Sequence, residues 1–202
     1  RMSVAKVTLH EPLEEPVMKI NQGVLVIGGG LAGMTAANTL AQQGYTTYLV
    51  DKDSQLGGQA RYLNETWQGE KIKTFVEDLI DQMQTHENIK VLLNAQIQNV
   101  DGFIGNFKTT VEASDETNIL EHGVTIIASG ATEFKPDNYL YGQDSRVLTG
   151  LELQSKIKED QSFDGCRTAV FVQCVGSRIP QRPYCSKVCC SQSIKSALDL
   201  KA

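Results

Sequence analysis

The chain has 202 residues, of which 41% are hydrophobic and 21% charged, with a net charge of −5. That is enough apolar sequence for one packed domain, or one domain and part of another, and the acidic balance gives no electrostatic support for nucleic-acid binding. No run reaches the roughly 18 apolar residues that crossing a bilayer takes, and the opening Arg1-Met2-Ser3-Val4 lacks the basic-then-apolar pattern of a secretory leader. The sequence therefore points to the cytoplasm, where structural disulfides are not expected.

In chain order, residues 1–22 read as a polar extension with Pro12 and Pro16. Val24 to Ile27 is a short apolar run that suits a buried parallel strand. Leu31 to Gln43 reads as a helix closed by Gly44, and Thr46 to Val50 as a second strand ending at Asp51. From Ile72 to His86 the residues Ile72, Phe75, Val76, Leu79, Ile80 and Met83 fall on one face of a helix. Ile89 to Leu93 is a third strand. Ile97 to Val111 breaks into short alternating pieces with turn signals at Asp101-Gly102 and Gly105-Asn106, which predicts an antiparallel meander. Val124 to Ala128 returns to a buried strand, Leu151 to Lys158 is a short helix, Thr168 to Gln173 another buried strand, and Cys189 to Leu200 a helix. The start at Arg1 and the end inside a helix without a stop signal suggest an excised piece.

Two places carry chemistry. Gly28-Gly29-Gly30-Leu31-Ala32-Gly33 is a G-x-G-x-x-G motif between a strand and a helix, and Asp51 ends the next strand near the spacing a dinucleotide fold requires. Gly28 permits the tight turn, Gly30 lets backbone approach a pyrophosphate, and Gly33 lets the helix pack on the strand. The N–H groups of the first helical turn, around Leu31 and Ala32, face the phosphates. Asp51, with Lys52 beside it, is placed to accept ribose hydroxyls and disfavours a 2′-phosphate.

The second place is a set of four cysteines, Cys174, Cys185, Cys189 and Cys190, spaced C-x10-C-x3-C-C. Thiolates are soft ligands that suit zinc or an iron–sulfur cluster. Adjacent Cys189 and Cys190 diverge too far to share one small ion but can reach different corners of a cubane, so the spacing favours a [4Fe–4S] cluster over zinc. Arg178, Arg182 and Lys187 stand among these cysteines, either to offset cluster charge or as solvated cations. Cys166 stands apart and reads as a packing residue. His10, His86 and His122 show no metal spacing and read as surface or capping residues.

Leu56-Gly57-Gly58-Gln59 and the strand end Ala128-Ser129-Gly130 resemble elements of two-dinucleotide-domain flavoproteins such as thioredoxin reductase. The resemblance implies FAD, with the Gly57-Gly58 turn near its diphosphate, Ala128 to Gly130 close to the cofactor and backbone at Gln96-Ile97 near the adenine. QCVGSR followed by RPYCSKVCC, together with VLVIGGGLAGMTAANTLAQQGYTTYLVDK, resembles the A subunit of heterodisulfide reductase over nearly the whole chain. That resemblance implies an FAD and [4Fe–4S] oxidoreductase subunit, with Cys174, Cys185, Cys189 and Cys190 as cluster ligands. Its partners would be the other subunits of such a complex and ferredoxin-type carriers, and flavin-based electron bifurcation is implied for the assembly. The ferredoxin spacing C-x2-C-x2-C-x3-C of full-length members does not occur here.

The expectation is thus an α/β, Rossmann-like, FAD-binding three-layer domain at 23–150, with a small antiparallel β insertion near 97–123. An extension precedes it at 1–22, and at 151–202 a second nucleotide-domain-like unit begins, with the cysteines standing where a nicotinamide phosphate loop would be. No side chain is assigned as catalytic. A non-catalytic electron-transfer or assembly module and a zinc-stabilised nucleotide-binding protein are the rival readings.

Overall fold

A computed structural model describes residues 2–7, 9–10, 17–114, 116–159, 161–163 and 165–201. Met2–Val7 forms a short helix, α1, that buries nothing, where the sequence suggested only an extension. Residues 11–16, with Pro12 and Pro16, lie outside the described residues.

The centre is a four-stranded parallel sheet of β1 (Val24–Ile27), β2 (Thr47–Val50), β3 (Ile89–Leu92) and β7 (Val124–Ile127), in the order β3-β2-β1-β7. Between β1 and β2 runs α2 (Leu31–Gln42), and between β2 and β3 runs α3 (Ile72–Thr85). Three antiparallel strands, β4 (Ala95–Phe103), β5 (Asn106–Ala113) and β6 (Glu116–His122), form the inserted meander.

Strand alternation divides the core in two. Val24 and Val26 face α2 and α3, packing with Met34, Ala37, Leu49, Val76, Leu79 and Met83. Leu25 faces the other way and packs with Val50, Ala95, Val111, Ala113 and Leu120, beneath the meander. The layers are therefore helices, parallel sheet and meander, and each fully buried aliphatic contributes about 1.5–3 kcal/mol.

The predicted helices and the first four parallel strands occur within a residue or two of their expected ends. Gly44 takes φ of +90°, the left-handed stop anticipated after α2. On α3, Phe75 falls off the apolar stripe and is 56% exposed.

Four expectations are corrected. Asp101-Gly102 is strand rather than turn: Gly102 (φ +93°) pairs with Phe107, and a Cβ there would sit 2.2 Å from the Asn106 carbonyl oxygen. His122 is fully buried. Its Nε2 lies 2.8 Å from Thr109 Oγ1, its Nδ1 3.1 Å from the Val124 carbonyl, and its ring stacks on Phe107. Cys166 is exposed, with its thiol 3.6 Å from the Thr168 carbonyl, so it fills no core space. Thr168 to Gln173 forms no strand, and Val170 is 81% exposed. Among the described residues this run joins neither the free edge of β7 nor that of β3, so its apolar side chains gain no strand partner.

Past β7 come two helices, α4 (Gly150–Lys158) and α5 (Cys189–Lys201). Thr149 starts α4 with a full capping box: its side chain accepts from Glu152 N–H at 3.2 Å, and Glu152 accepts from Thr149 N–H at 2.9 Å. The two helices join through Gln154, whose amide donates to Ser196 Oγ at 2.7 Å in a buried contact.

Candidate functional site

Strand order reverses at β1, although all four strands run parallel. The neighbour of β1 on one side is β2, reached through α2, and on the other β7, reached only after the meander. In open α/β sheets the crevice at the carboxyl ends of such a pair is the ligand site. The glycine motif occupies this crevice. Gly28 has φ of +113° and donates to the Val50 carbonyl at 2.8 Å. A Cβ on Gly28 would lie 2.2 Å from the Ala128 oxygen, and one on Gly33 would lie 1.8 Å from the Gly28 oxygen. These two glycines are thus required by packing. Gly30 is different: it caps α2, and nothing lies within 4 Å of a Cβ built there. The open side of Gly30 and the first-turn N–H groups of α2 have the chemistry to take an anion such as a diphosphate.

The tertiary fold brings the other expected residues to this crevice. Gly57 N–H donates to the Gly29 carbonyl at 2.8 Å, and a Cβ on Gly58 would come within 3.0 Å of Gly30 Cα. Both Gly57 (φ +106°) and Gly58 (φ +51°) use left-handed backbone to make that approach. Gln59 Nε2 donates to the Ala131 carbonyl, tying this turn to the one at Ala128, Ser129 and Gly130. Ala128 N–H donates to the Ile27 carbonyl at 2.8 Å, and Gly130 (φ +66°) turns the chain away. Ile97 sits two residues beyond Ala95, whose N–H donates to the Asp51 carbonyl at 2.9 Å, so the start of β4 borders the same crevice.

Asp51 behaves differently from expectation. One carboxylate oxygen accepts from Gly29 N–H and the other from Asp53 N–H at 2.8 Å. The carboxylate thus braces the glycine loop first. Each oxygen keeps a second lone pair for a ribose hydroxyl. Lys52 is exposed beside it. The open Gly30 position, the free helix-start donors and the flanking Gly57-Gly58 turn fit FAD.

The cysteines are not gathered to the same degree. Cys174 is half-buried with φ of +60°, and Cys185 and Cys190 are exposed. Cys185 Sγ accepts from Lys187 N–H at 3.3 Å, and Cys189 Sγ lies 3.3 Å from Ser186 Oγ. Among the described residues no three His, Cys, Asp or Glu side chains stand close enough to hold a metal ion. The donor chemistry suits a cluster, but the loop as seen is not closed around one. Cys189 and Cys190 open α5. Gly176 faces the Phe134 ring, from which a Cβ would be 2.3 Å away, and the Arg182 guanidinium lies 5.0 Å over the same ring. Arg182 is thus engaged with an aromatic face rather than freely solvated.

Several side chains at this site carried no sequence signal, because their partners are remote in the chain. Lys158 Nζ donates to the Arg61 carbonyl at 2.5 Å, across 97 residues. Glu65 pairs with Lys71 at 3.0 Å and with Lys195 at 3.7 Å. The hydrogen bond from Lys71, with Lys195 behind it, holds Glu65 below the usual carboxylate range. Lys195 in turn is held above the usual lysine value, first by Asp199 and then by Glu65.

Comparison with known proteins identifies the family. The chain is 27% identical to the A subunit of the H(2):CoB-CoM heterodisulfide,ferredoxin reductase of Methanothermobacter marburgensis, an alignment covering 100% of this chain and 44% of that protein. It is 26% identical to an iron-sulfur A subunit of the CoB--CoM heterodisulfide reductase of Methanopyrus kandleri, again over 100% of this chain and 44% of the relative. The chain therefore spans less than half the length of these curated relatives. Among solved structures, L-proline dehydrogenase from P. horikoshii superposes with a TM-score of 0.48 at 25% identity, covering 60% of this chain and 25% of that one. Residues 22–166 match the model of the family described as Pyridine nucleotide-disulphide oxidoreductase, from just before β1 to eight residues short of Cys174. The chain belongs to the pyridine nucleotide-disulphide oxidoreductase family and is an oxidoreductase domain of that family.

Proposed function

We propose that the chain is an FAD- and [4Fe–4S]-containing electron-transfer unit of a heterodisulfide-reductase-like complex. The observation that carries the flavin half is the meeting of three separate turns, Gly28 to Gly33, Gly57-Gly58 and Ala128 to Gly130, at the point where the strand order reverses. In this reading the N–H groups of Leu31, Ala32 and Gly33 hold the FAD diphosphate. Gly30 stays bare so that it can approach. Asp51 and Lys52 face the ribose, backbone at Ile97 lies by the adenine, and Gly57, Gly58, Gln59, Ala128, Ser129 and Gly130 shape the opposite wall. Bound FAD supplies electron transfer in one- or two-electron steps; the protein residues bind it, orient it and limit water at the diphosphate.

Cys174, Cys185, Cys189 and Cys190 are the proposed cluster ligands. Support comes from four soft donors, from the placement of the vicinal pair at a helix start, and from likeness to proteins named iron-sulfur subunits. Partner subunits, ferredoxin-type carriers and bifurcation at the flavin are part of the same proposal on the family resemblance, and a cytoplasmic setting, an FAD unit at 23–150 and a cysteine unit at 151–202 are part of it on the sequence pattern. The rival is an assembly module in which the flavin or cluster is vestigial.

Flavin, iron, sulfide and zinc content of anaerobically purified full chain decides among these. The expected content is one FAD and about four iron per chain, with the iron lost in Cys190→Ala. Unchanged iron in that variant removes Cys190 from the ligand set. Stoichiometric zinc overturns the cluster, and metal-free flavoprotein leaves the assembly module.

A further inference from the structure

We infer that the segment from Gly57 to Glu65 is a positioning strap through which the nucleotide cradle sets the helix that carries Cys189 and Cys190; this rests on the FAD reading above. Its first end is built into the cradle, since Gly57 donates to the Gly29 carbonyl at 2.8 Å and Gly58 crosses close over Gly30. Its middle is the 3-10 turn Gly58–Tyr62, tightened by Arg61 Nε donating to the Gly58 carbonyl at 3.2 Å. There α4 grips it, with Lys158 Nζ on the Arg61 carbonyl at 2.5 Å. At its far end Glu65 meets Lys195 of α5 at 3.7 Å, and Lys71 braces the same carboxylate at 3.0 Å.

Both helices then move together or not at all. Gln154 of α4 and Ser196 of α5 are each at most 2% exposed and bonded at 2.7 Å, and Ser196 Oγ also donates to the Gln192 carbonyl at 2.9 Å. The Lys195 and Glu65 side chains are only 17% and 23% exposed, so this pair is better shielded than an ordinary surface pair. Residue 195 lies under two turns from Cys189, along a continuous helix. Occupying the cradle fixes Gly57 and Gly58, the strap fixes α4 and α5, and the first turn of α5 fixes the vicinal thiols. Coupling of this kind is reciprocal, so the setting of the thiols acts back on FAD affinity. Glu65 and Lys158 are positioning residues in this scheme, since neither touches the cradle itself.

The test uses the full chain, anaerobic and metal-free, with iodoacetamide labelling read site by site by peptide mass spectrometry. Saturating FAD is expected to slow labelling at Cys189 and Cys190 at least about fivefold while leaving Cys166 unchanged. Glu65→Gln and Lys158→Met should each bind FAD and lose that protection, and Lys158→Arg, which keeps a cation over the Arg61 carbonyl, should restore it. FAD bound by the wild type with unchanged labelling overturns the strap alone, and needs no variant to fold. Full protection persisting in both variants overturns it too, because FAD would then be shielding the thiols directly. Failure of the wild type to bind FAD, seen as unquenched flavin fluorescence, removes the FAD reading and the strap with it.

Discussion

Glycines that look alike in the motif do different work. Gly33 is required by packing, because a Cβ there would lie 1.8 Å from the Gly28 oxygen and 3.4 Å from Ala128 Cβ. Gly30 has open space on the same side, which the FAD reading assigns to the diphosphate. Gly33→Ala should therefore destabilise the domain by about 1–3 kcal/mol in urea unfolding, as α2 is forced off β1. Gly30→Ala should unfold like the wild type but bind FAD at least about tenfold more weakly, a loss of about 1.4 kcal/mol. Equal FAD affinity in Gly30→Ala would remove the cradle assignment. Asp51 belongs to the same scale: the motif identified its place, while its use as a brace for Gly29 depends on backbone donors that only the folded loop presents.

Elements followed from sequence where one pattern sufficed and failed where a neighbour was needed. The α3 stripe and the β1 run predict their own states, since each has one apolar face or a short apolar core to bury. Thr168 to Gln173 has equally good strand chemistry, yet it joins neither sheet. His122 showed no metal spacing and so read as a surface or capping residue, yet strand alternation turns it inward onto Thr109 and Phe107. Burial lowers its pKa from the ordinary 6.5, so the folded meander refuses a proton that the unfolded chain accepts. Its contribution to stability is complete above about pH 6.5 and is lost as pH falls through the lowered folded value. Melting temperatures measured from about pH 7.5 down to about pH 5 should fall more steeply for the wild type than for His122→Gln. Parallel decline in the two proteins would mean that other groups set the acid sensitivity.

At the level of the whole molecule, the question is whether a second nucleotide site exists. Nicotinamide phosphates are held by a strand, a glycine turn and a helix start in direct succession. Residues 159–188 offer no strand or helix among those described, and the Gly176 turn is packed onto Phe134. Anaerobic titration of the FAD-loaded chain with NADH or NADPH should accordingly leave the flavin largely oxidised. Rapid stoichiometric bleaching by either nucleotide would show that this chain takes hydride directly. The strap from Gly57 to Glu65 is also a whole-molecule feature, built from elements that no single motif contains.

Sequence by itself determined the Rossmann-like α/β class, the glycine motif between β1 and α2 with Asp51 after the second strand, and the family. Each of these rests on local periodicity or fixed spacing along the chain, which survive without knowledge of distant partners. Tertiary structure alone decided that the third layer is the meander, that Gly57-Gly58 closes on Gly30, and that Lys158 and Lys195 grip the turn at Arg61 and Glu65. It also decided that the 168–173 run stays unpaired and the cysteine loop open. These depend on which surfaces meet across long separations, and a charge or a strand-forming run in sequence does not say what will stand opposite it.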